Sequence, residues 1–555
     1  MEFELRINGG TIIDGSGAPG YAGDVGIADG KIAALGRVEG AARQVIDATG
    51  RIVCPGFIDI HSHYDAQVIW DPMLTISPWH GVTAVVMGNC GLGVAPTRPE
   101  HRDLMLRILE NVEGMELDSL RAGVGDDWPF ETFPEYLDAI ERRGIAINVG
   151  ALLAHTPLRT YVMGEEATER EATVAEVESM RRLVREALDA GALGFSTSRA
   201  PTHNVSDGRP VPSRAASLDE FRTLAATLGE AGLGTLQVAA GRDLATEELA
   251  DIARQMGRPA TWTALIAGLS GPGGHRAVLE RSEELQAEGV GVYPQVTCRP
   301  LNFEFQMAKP FIFESHDLFK PVMRADHEGK KAIFADPGFR EAFKRLKGFA
   351  IRWDRTVISQ LSEEPELEER LLEEVAAERG VHAVDLMLDL SLAHDLQPRF
   401  RMAIANTDEA EVAELLRSSA TVLGLSDAGA HLSQLCDACF STHLLSHWVR
   451  EKGVLSLEEA VRSLTSRPAE LLALDDRGRL QRGLAADVVV FDPATVGCSP
   501  LRRVYDLPAG ADRLISDAFG IEAVIVNGTL IRSNGKDTVS PGSDLPGQIL
   551  RSSRH

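Results

Sequence analysis

Alternating apolar and polar positions mark both ends of the chain. Residues 3–53 carry this two-residue period between Gly-rich turns, and residues 486–491 and 523–531 repeat it, the latter around an Asn-Gly pair. Such alternation is typical of half-buried β-strands, and Asn-Gly is a common turn of β-hairpins. We therefore predict that the two termini together build one small β-sandwich domain, from residues 1–55 and 481–540.

Between the ends, short apolar runs recur, and most are followed by a stretch with helical periodicity. The runs are residues 57–60, 82–87, 145–153, 193–196, 235–239, 260–266, 290–293 and 422–425. Eight strands that alternate with helices predict parallel β/α units closed into a barrel. We therefore predict an α/β fold, a TIM-type (β/α)8 barrel over residues 56–480, with its chemistry at the carboxyl ends of the strands.

Two connections are too long for simple loops between a strand and a helix, residues 91–143 and 296–420. Connections of that length in a compact domain usually form lids or carry helices of their own. We expect the second to cover the mouth of the barrel, because its ends flank the seventh and eighth strands. The chain end, from Pro541, is predicted to be a frayed tail.

A capping pattern, Ser456-Leu-Glu-Glu459, precedes an apolar periodic segment. In such a pattern the serine side chain accepts a hydrogen bond from the glutamate amide, and the glutamate side chain reaches back to the serine amide. We predict a helix that begins there and runs through Leu464, with a structural and not a catalytic role.

The composition is that of a globular protein, with 44% hydrophobic and 25% charged residues among 555. The net charge of −25 repels nucleic-acid phosphates and anionic lipids, so we expect a small-molecule substrate and neither nucleic acid nor membrane as partner. The N-terminus has no basic segment followed by an apolar run, which predicts a cytoplasmic protein. Formation of a homo-oligomer stays open.

Six scattered cysteines are too few for a disulfide framework in a chain of this size, and we expect them to be reduced. Cys436 and Cys439 form a Cys-x-x-Cys pair, but no second pair follows. We interpret these two thiols as neighbours on one face of a helix and not as a structural zinc site.

His61 and His63 follow the first apolar run of the barrel. Residues i and i+2 of an extended chain point to the same face, so the two imidazoles project together where the strand ends. Two imidazoles on one face can hold a metal ion, although a histidine beside an apolar strand is also often a buried core residue.

Other polar side chains follow later strands. Cys90 ends the second strand between glycines, His155 ends the third, and Asp427 ends the eighth, four residues before His431. Taken singly, Cys90 could be a small buried thiol and Asp427 a helix N-cap. Strand 8 neighbours strand 1 in a closed barrel, however, so Asp427 and the two strand-1 histidines are predicted to converge on one point.

Several motifs resemble the amidohydrolase superfamily, and within it the branch of D-aminoacylases and N-acyl-D-amino-acid deacylases. The motifs are Val53-Cys-Pro-Gly-Phe-Ile-Asp-Ile-His-Ser-His63, Gly88-Asn-Cys-Gly91, Val292-Tyr-Pro294, Gly424-Leu-Ser-Asp427, Arg467-Pro-Ala-Glu470 and Gly483-Leu-Ala-Ala-Asp-Val-Val-Val490. They span nearly the whole chain. The resemblance implies a (β/α)8 barrel with a split β-domain, a divalent metal, usually zinc, and hydrolysis of an amide.

The resemblance also implies roles for individual residues. By position in the motifs, His61 and His63 match the strand-1 metal ligands. Cys90 matches the thiolate that can bridge a metal pair, and Asp427 matches the aspartate that contacts the metal and moves protons. We therefore expect zinc as the cofactor, held at one site by these four side chains.

The chain departs from the family pattern at strands 5 and 6, each of which normally supplies a histidine. Here strand 5 carries Gln237 and strand 6 reads Thr261-Trp262-Thr263. The ligand set of a second metal is therefore incomplete. Four nearby imidazoles could replace the missing ones, with His431 favoured because it follows Asp427 closely: His155, His203, His275 and His431.

Zinc with an open coordination position lowers the pKa of bound water to about 7 and polarises a carbonyl group. Asp427 is predicted to accept the proton of that water and to return it to the leaving nitrogen. His155 is the predicted donor to the tetrahedral oxyanion. These residues would serve a hydrolase that cleaves the C–N bond of an N-acyl amino acid or a similar small amide.

An N-acyl amino acid also needs a cation for its carboxylate. Arg199, beyond strand 4, and Arg299, beyond strand 7, could provide a bidentate contact, although a solvated loop arginine is the more common case for each. Tyr293 and His431 complete the predicted substrate-binding set.

Two other hypotheses stay open. The chain could hydrolyse a cyclic amide or a carbamate, as other members of the superfamily do. It could also be a barrel without catalytic activity that serves as a binding module, which the missing histidines of strands 5 and 6 would favour. Zinc content separates a metal-dependent enzyme from a binding module.

Overall fold

The structure, a computed structural model, describes residues 2–205, 208–241, 244, 246–314, 316–347 and 351–552. These residues form a parallel barrel, a mixed sheet built from both termini, and a helical insertion with a sheet of its own. Among the helices of these ranges, none has the length and apolar character needed to cross a membrane.

The N-terminal segment contributes five strands to the mixed sheet. They are β1 (Phe3–Ile12), β2 (Tyr21–Ala28), β3 (Lys31–Gly36), β4 (Ala42–Asp47) and β5 (Ile52–Pro55). β1 pairs with β2 in antiparallel fashion and with β4 and β5 in parallel. Phe3, Leu5 and Ile7 are buried while the residues between them are more exposed, as the alternating pattern predicts.

The first seven strands of the barrel follow in order, each parallel to its neighbour. They are β6 (Phe57–Asp59), β7 (Val82–Met87), β8 (Asn148–Ala154), β9 (Gly194–Ser198), β10 (Thr235–Ala239), β11 (Ala260–Thr263) and β12 (Val292–Val296). The helices of this part are α1 (Arg102–Glu113), α2 (Leu117–Val124), α3 (Phe133–Arg143), α4 (His155–Met163), α5 (Val174–Ala190), α6 (Leu218–Ala231), α7 (Thr246–Met256) and α8 (Arg276–Ala287). The helices α1 to α3 occupy the first long connection.

The second long connection has its own apolar core. Its strands β13 (Leu301–Gln306), β14 (Thr356–Gln360) and β15 (Arg399–Ala405) form an antiparallel sheet. Its helices are α9 (Lys320–Arg324), α10 (His327–Ala335), α11 (Pro337–Lys344), α12 (Leu372–Arg379) and α13 (Ala383–Ala393). The buried rings of Phe313 and Phe343 contact each other edge to face at the centre of this core.

The short strand β16 (Val422–Leu423) pairs with β12, and an isolated bridge between Ser62 and Ala428 joins the eighth strand region to the first. This pairing closes the predicted (β/α)8 barrel. The remaining helices are α14 (Glu409–Arg417), α15 (Phe440–His443), α16 (Leu457–Leu464) and α17 (Ser466–Leu471), with a π-helix over Leu444–Glu451 after α15. The helix α16 begins with the predicted capping box of Ser456 and Glu459.

The C-terminal segment completes the mixed sheet. Its strands are β17 (Val488–Phe491), β18 (Gly497–Cys498), β19 (Arg502–Val504), β20 (Arg513–Ile515), β21 (Ala518–Phe519), β22 (Ile521–Val526), β23 (Thr529–Ser533) and β24 (Lys536–Asp537). Because β17 pairs with β5, strands from both termini share one sheet, in the order β24-β23-β22-β17-β5-β1-β2-β3 with β4 beside β1. The predicted β-sandwich thus takes the form of one continuous mixed sheet, and the boundaries at residues 55 and 480 stay predictions.

Residues 547–550 do not form part of the frayed tail that was predicted from Pro541 onward. Ile549 forms a bridge with Val149 of β8, and the Gly547 amide donates to the Ile145 carbonyl. Leu550 is 4% exposed and belongs to the apolar cluster that contains Ile58 of β6. The prediction was wrong because backbone pairing with the barrel orders this segment, which sequence position alone does not reveal.

Candidate metal centre

His61 and His63 stand just past the end of β6 and are almost completely buried. The Nε2 atom of His61 lies 3.2 Å from Oδ1 of Asp427, and the Nε2 atom of His63 lies 3.9 Å from the same oxygen. Asp427 follows β16 and keeps 27% of its side chain exposed, so it borders the open side of the group. The structure therefore brings together the residues at the ends of the first and eighth strands.

Cys90 joins this group from the turn after β7. Its Sγ atom lies 3.5 Å from Nε2 of His61, and ligand atoms of His61, His63 and Cys90 lie within 4.8 Å of one another. Cys90 has a left-handed backbone conformation, with φ of 56°. The next residue is Gly91, where a Cβ would meet backbone atoms of Thr197 and Ser198 at 2.8 Å, so only glycine lets the turn pack this closely.

The spacing of these donors fits a tetrahedral zinc ion. Zinc bonds of about 2.0–2.3 Å place neighbouring ligand atoms about 3.3–3.8 Å apart. The contacts of 3.2 and 3.5 Å that His61 makes with Asp427 and Cys90 are close to that range, and so is the 3.9 Å contact between His63 and Asp427. The mutually close donor group consists of His61, His63 and Cys90, and Asp427 borders it. Two imidazoles, a thiol and a carboxylate also form a donor set that suits zinc.

Two glutamines contact the group, and the sequence offered no signal for the role of Gln295. Gln295, on β12, accepts from Nδ1 of His61 through Oε1 at 2.7 Å. Gln237, on β10, accepts the Cys90 amide through Oε1 at 2.6 Å. Gln237 belongs to strand 5, which supplies a histidine in the family pattern, and it holds the backbone of Cys90 in its turn. Thr263, at the end of β11, lies 3.9 Å from Sγ of Cys90.

Glu113 is a buried carboxylate that the sequence interpretation missed. It is the last residue of α1, in the first long connection, and its Oε1 lies 3.5 Å from Nδ1 of His63. Its other oxygen lies 4.0 Å from Nε2 of His431. A signal was present, because Glu113 follows the buried residues Met105 and Leu109 at four-residue steps and so lies on the buried face of the helix.

Burial and mutual repulsion act on the acids around this group. Burial raises the pKa of Asp427 to about 6 and the pKa values of Asp59 and Asp65 to about 7. Burial, followed by the charges of Asp427 and Asp65, raises the pKa of Glu113 well above its ordinary value. A bound cation favours the charged carboxylates and reverses this trend. The concentration of buried acids is therefore a further sign that the site suits a cation.

The two histidines are in the protonation state that a metal requires. Burial lowers the pKa of His61 to about 4 and that of His63 well below its ordinary value, so both imidazoles are neutral at pH 7. Burial raises the pKa of the Cys90 thiol well above its ordinary value. Metal binding to this thiol would release a proton.

A hydrogen-bond network braces the ends of the first and eighth strands. The hydroxyl of Ser426 lies 2.5 Å from Oδ2 of Asp59 and 3.0 Å from the carbonyl oxygen of His61, and it also accepts from the Ala428 amide. Ser426 precedes Asp427, whose backbone is left-handed at φ 45°. These contacts hold the two chain segments in register, which fixes the approach of the Asp427 carboxylate to His61.

His431 borders the group and links the two long connections. Its amide donates to the carbonyl oxygen of Glu113 at 2.6 Å, and its ring lies edge to face with Phe303 of β13, with centroids 5.9 Å apart. The Glu304 amide of the same strand donates to Gln434, in the loop after the eighth strand. The insertion thus contacts the loop that carries Asp427.

The position of His155 does not fit its predicted role as a donor to the oxyanion. It is fully buried, its Nδ1 lies 2.8 Å from the Thr197 hydroxyl, and its Nε2 lies 2.9 Å from Glu220. Arg159 also pairs with Glu220. Because both ring nitrogens have protein partners, His155 offers no free donor to a substrate in this structure. His275 likewise pairs with Glu414, at 2.9 Å.

The predicted substrate contacts also have partners within the protein. The guanidinium of Arg299 donates to Asp437 at 2.6 Å, and the pair is 12% exposed. Arg199 donates to the carbonyl oxygen of Ala216 at 2.7 Å. These arginines therefore stabilise loops here, because the sequence could not reveal which acids and carbonyls lie opposite them.

Tyr293 stands near the start of β12, two residues before Gln295, and so lies on the amino-terminal side of the donor group. Its ring packs against the apolar cluster inside the barrel, and the guanidinium of Arg467 lies 4.9 Å from the ring centroid. This position does not fit the substrate-binding role predicted for Tyr293, because that role requires a residue at the carboxyl end of the strand.

The profile of the amidohydrolase family matches residues 44–532 of the chain. The chain belongs to the amidohydrolase family. This amidohydrolase is 31% identical to the N-acyl-D-glutamate deacylase of Alcaligenes xylosoxydans xylosoxydans over 569 residues, which cover 99% of the chain and 97% of the relative. The resemblance stated from the motifs is thereby confirmed.

Solved structures extend the comparison. An N-acyl-D-glutamate deacylase from Bordetella bronchiseptica, complexed with zinc and a phosphonate that mimics the tetrahedral intermediate, has a TM-score of 0.68 and 28% identity, with 99% of this chain and 100% of that chain covered. A D-aminoacylase with a binuclear metal centre, described with one-metal activation and second-metal attenuation, has a TM-score of 0.68 and 29% identity at the same coverage. The amidohydrolase fold and a metal-dependent hydrolase acting on C–N bonds are confirmed for this chain.

Proposed function

We propose that this amidohydrolase cleaves the amide bond of an N-acyl amino acid, with N-acyl-D-amino acids as the first substrates to test. The observation that carries the proposal is the convergence of His61, His63, Cys90 and Asp427 at the carboxyl ends of the first, second and eighth strands. Metal ligands in this position, in a chain related to deacylases throughout its length, support amide hydrolysis over a role as a binding module.

We propose that these four side chains hold one zinc ion. The contacts beside Cys90 support a single site, because Gln237 of strand 5 and Thr263 of strand 6 stand there and neither strand supplies an imidazole. An amide and a hydroxyl are weaker zinc ligands than imidazole. Zinc at this site would polarise the carbonyl group of the substrate and make water acidic enough to lose a proton near neutral pH.

In this proposal the residues of the chain divide the remaining tasks. Asp427 accepts the proton of the attacking water and returns it to the nitrogen of the departing amine, since its carboxylate borders both the histidines and the open side of the group. Ser426 and Asp59 hold the Asp427 loop in place. His431, together with Phe303 of the insertion, limits the space at the mouth and excludes water.

We further propose a small-molecule enzyme of the cytoplasm that works without nucleic-acid or membrane partners. The net charge of −25 supports this, since it disfavours binding to polyanions. All six cysteines are free thiols, which fits a reducing compartment. Light scattering would decide between a monomer and a homo-oligomer.

The deciding experiment is a hydrolysis screen with zinc-loaded protein. Paired N-acyl D- and L-amino acids are compared with cyclic amides and carbamates, and release of the free amine is measured. The proposal expects turnover of at least one N-acyl amino acid and its loss on chelation. Turnover of cyclic substrates alone would overturn it in favour of another superfamily reaction, and inactivity of a fully loaded protein on every substrate would favour a binding module.

A further inference from the structure

Each of the two strand-1 histidines has a side-chain oxygen near Nδ1, and the two oxygens come from different parts of the fold. For His61 the acceptor is Oε1 of Gln295, at 2.7 Å. An amide oxygen can only accept, so Nδ1 of His61 carries the proton. The lone pair of His61 then lies on Nε2, the atom that lies 3.2 Å from Asp427 and 3.5 Å from Cys90. Gln295 thereby selects the tautomer that presents Nε2 to the metal.

For His63 the nearby oxygen belongs to the carboxylate of Glu113, which the helix α1 brings into the barrel mouth. Nδ1 of His63 lies 3.5 Å from Oε1 of Glu113, and it has no hydrogen-bond partner among the residues that the structure describes. A small closure of this contact would satisfy a buried N–H group, which rarely stays without a partner. Both residues are buried, with 2% and 3% of their surface exposed.

We propose that Gln295 and Glu113 are the positioning residues of the metal centre, each acting through one strand-1 histidine. The inference rests on the proposed zinc site. Gln295 is neutral and fixes the tautomer and ring orientation of His61. Glu113 is acidic, so it also makes His63 a more basic ligand and adds negative charge beside the cation. The first long connection is therefore part of the metal centre through one side chain.

The chemistry sets different expectations for the two positions. At Gln295 the requirement is an acceptor, so Gln295→Glu should keep zinc affinity and Gln295→Leu should lose it. At Glu113 the negative charge also contributes, so Glu113→Gln should lower zinc affinity partly and Glu113→Leu should lower it fully. Partners of this kind typically change metal affinity by about 10- to 100-fold. Glu110→Gln, on a half-exposed position of the same helix, is the matched control.

The test is competition for zinc between the metal-free variants and a chromophoric chelator, with the absorption spectrum of the Co²⁺-loaded proteins as a second readout. We expect about 10- to 100-fold weaker zinc binding for the two leucine variants, a smaller loss for Glu113→Gln, parental or tighter binding for Gln295→Glu, and parental affinity for Glu110→Gln. The cobalt spectrum should change in the leucine variants, because the imidazole rings turn.

Zinc affinity within twofold of the parent in both leucine variants would overturn the inference, as would an equal loss in Glu110→Gln. Thermal melting of the metal-free proteins checks folding, and if a leucine variant fails to fold, the glutamate and glutamine variants still decide. The outcome is independent of the substrate. A protein that follows this affinity pattern but hydrolyses no N-acyl amino acid would contradict the proposed function and support the metal centre.

Discussion

The carboxylate of Asp427 lies 3.2 Å from Nε2 of His61, although nearly the whole barrel separates the two residues along the chain. The contact exists because the eighth strand closes on the first through the bridge between Ser62 and Ala428. A feature of the closed barrel, and not of any local segment, therefore brings Asp427, the proposed proton acceptor, to the proposed metal ligands.

His61→Ala and His63→Ala should each lose zinc and activity together, since each removes a ligand outright. The loss of zinc affinity should exceed the roughly 100-fold effect of removing a positioning residue. Zinc per chain and kcat are the measurements. His447→Ala, at a histidine that pairs with Glu409 and Glu451, is the control and should keep both. Full zinc content in either strand-1 variant would contradict the ligand assignment.

Leu550→Ala should destabilise the protein although it lies near the chain end. The side chain is 4% exposed inside the cluster that contains Ile58, and removal of a buried leucine side chain costs about 2–5 kcal/mol. Urea unfolding measures the change. Leu269→Ala, at a side chain that is 41% exposed, should change stability by less than about 0.5 kcal/mol. Equal effects of the two substitutions would mean that the segment around Leu550 does not pack on the barrel.

Three buried acids around the metal centre should make the metal-free protein less stable as the pH rises from about 4 to 7, while His61 and His63, whose pKa values are lowered, act in the opposite direction below about pH 6.5. In the folded state the pKa of Asp427 is about 6 and those of Asp59 and Asp65 are about 7, above the value of about 3.9 in the unfolded chain. The folded state therefore binds more protons, so the contribution is present below pH 4 and lost as pH passes through 6 to 7. Urea unfolding across this range measures it.

Zinc should counteract this loss, because a cation favours the ionised carboxylates. Asp65→Asn provides the control, since it removes one of the three titrating groups and should flatten the pH profile of the metal-free protein. A profile that rises with pH between 4 and 7, without zinc, would mean that other groups dominate the linkage.

The sequence was sufficient for the parts of the site that depend on strand order. Cys90, Asp427 and the two strand-1 histidines end neighbouring strands, and the barrel topology alone brings such residues together. Local hydrogen-bond motifs could also be predicted from the sequence, as in the capping box of Ser456. Both rest on short-range periodicity and on connection rules that hold for many sequences.

Residues that act through long-range packing could not be predicted from the sequence in this way. Glu113 reaches His63 only because an inserted helix folds back over the barrel mouth, and Gln295 is an ordinary polar residue in a strand until His61 is placed beside it. Likewise, Arg299 looked available until the structure placed Asp437 against it. Such pairings depend on the tertiary packing of one particular chain, which periodicity does not encode.

Phe303→Ala should change substrate binding before it changes metal content. The ring of Phe303 lies edge to face with His431 at the mouth, so its removal widens the mouth and leaves His431 without a packing partner, and KM should rise. Zinc per chain should stay constant. Phe519→Ala, at a ring that is 52% exposed in β21, is the control. An unchanged KM would show that the insertion does not border the substrate.

Asp427→Asn tests the central claim most directly, because it keeps the size and one coordinating oxygen of the side chain but cannot accept the proton of water. The measurement is zinc per chain together with kcat on the best N-acyl amino acid of the screen. We expect most of the zinc to remain while kcat falls by about 100-fold or more. Near-parental kcat at full zinc occupancy would contradict the assignment of Asp427 as the group that moves the proton.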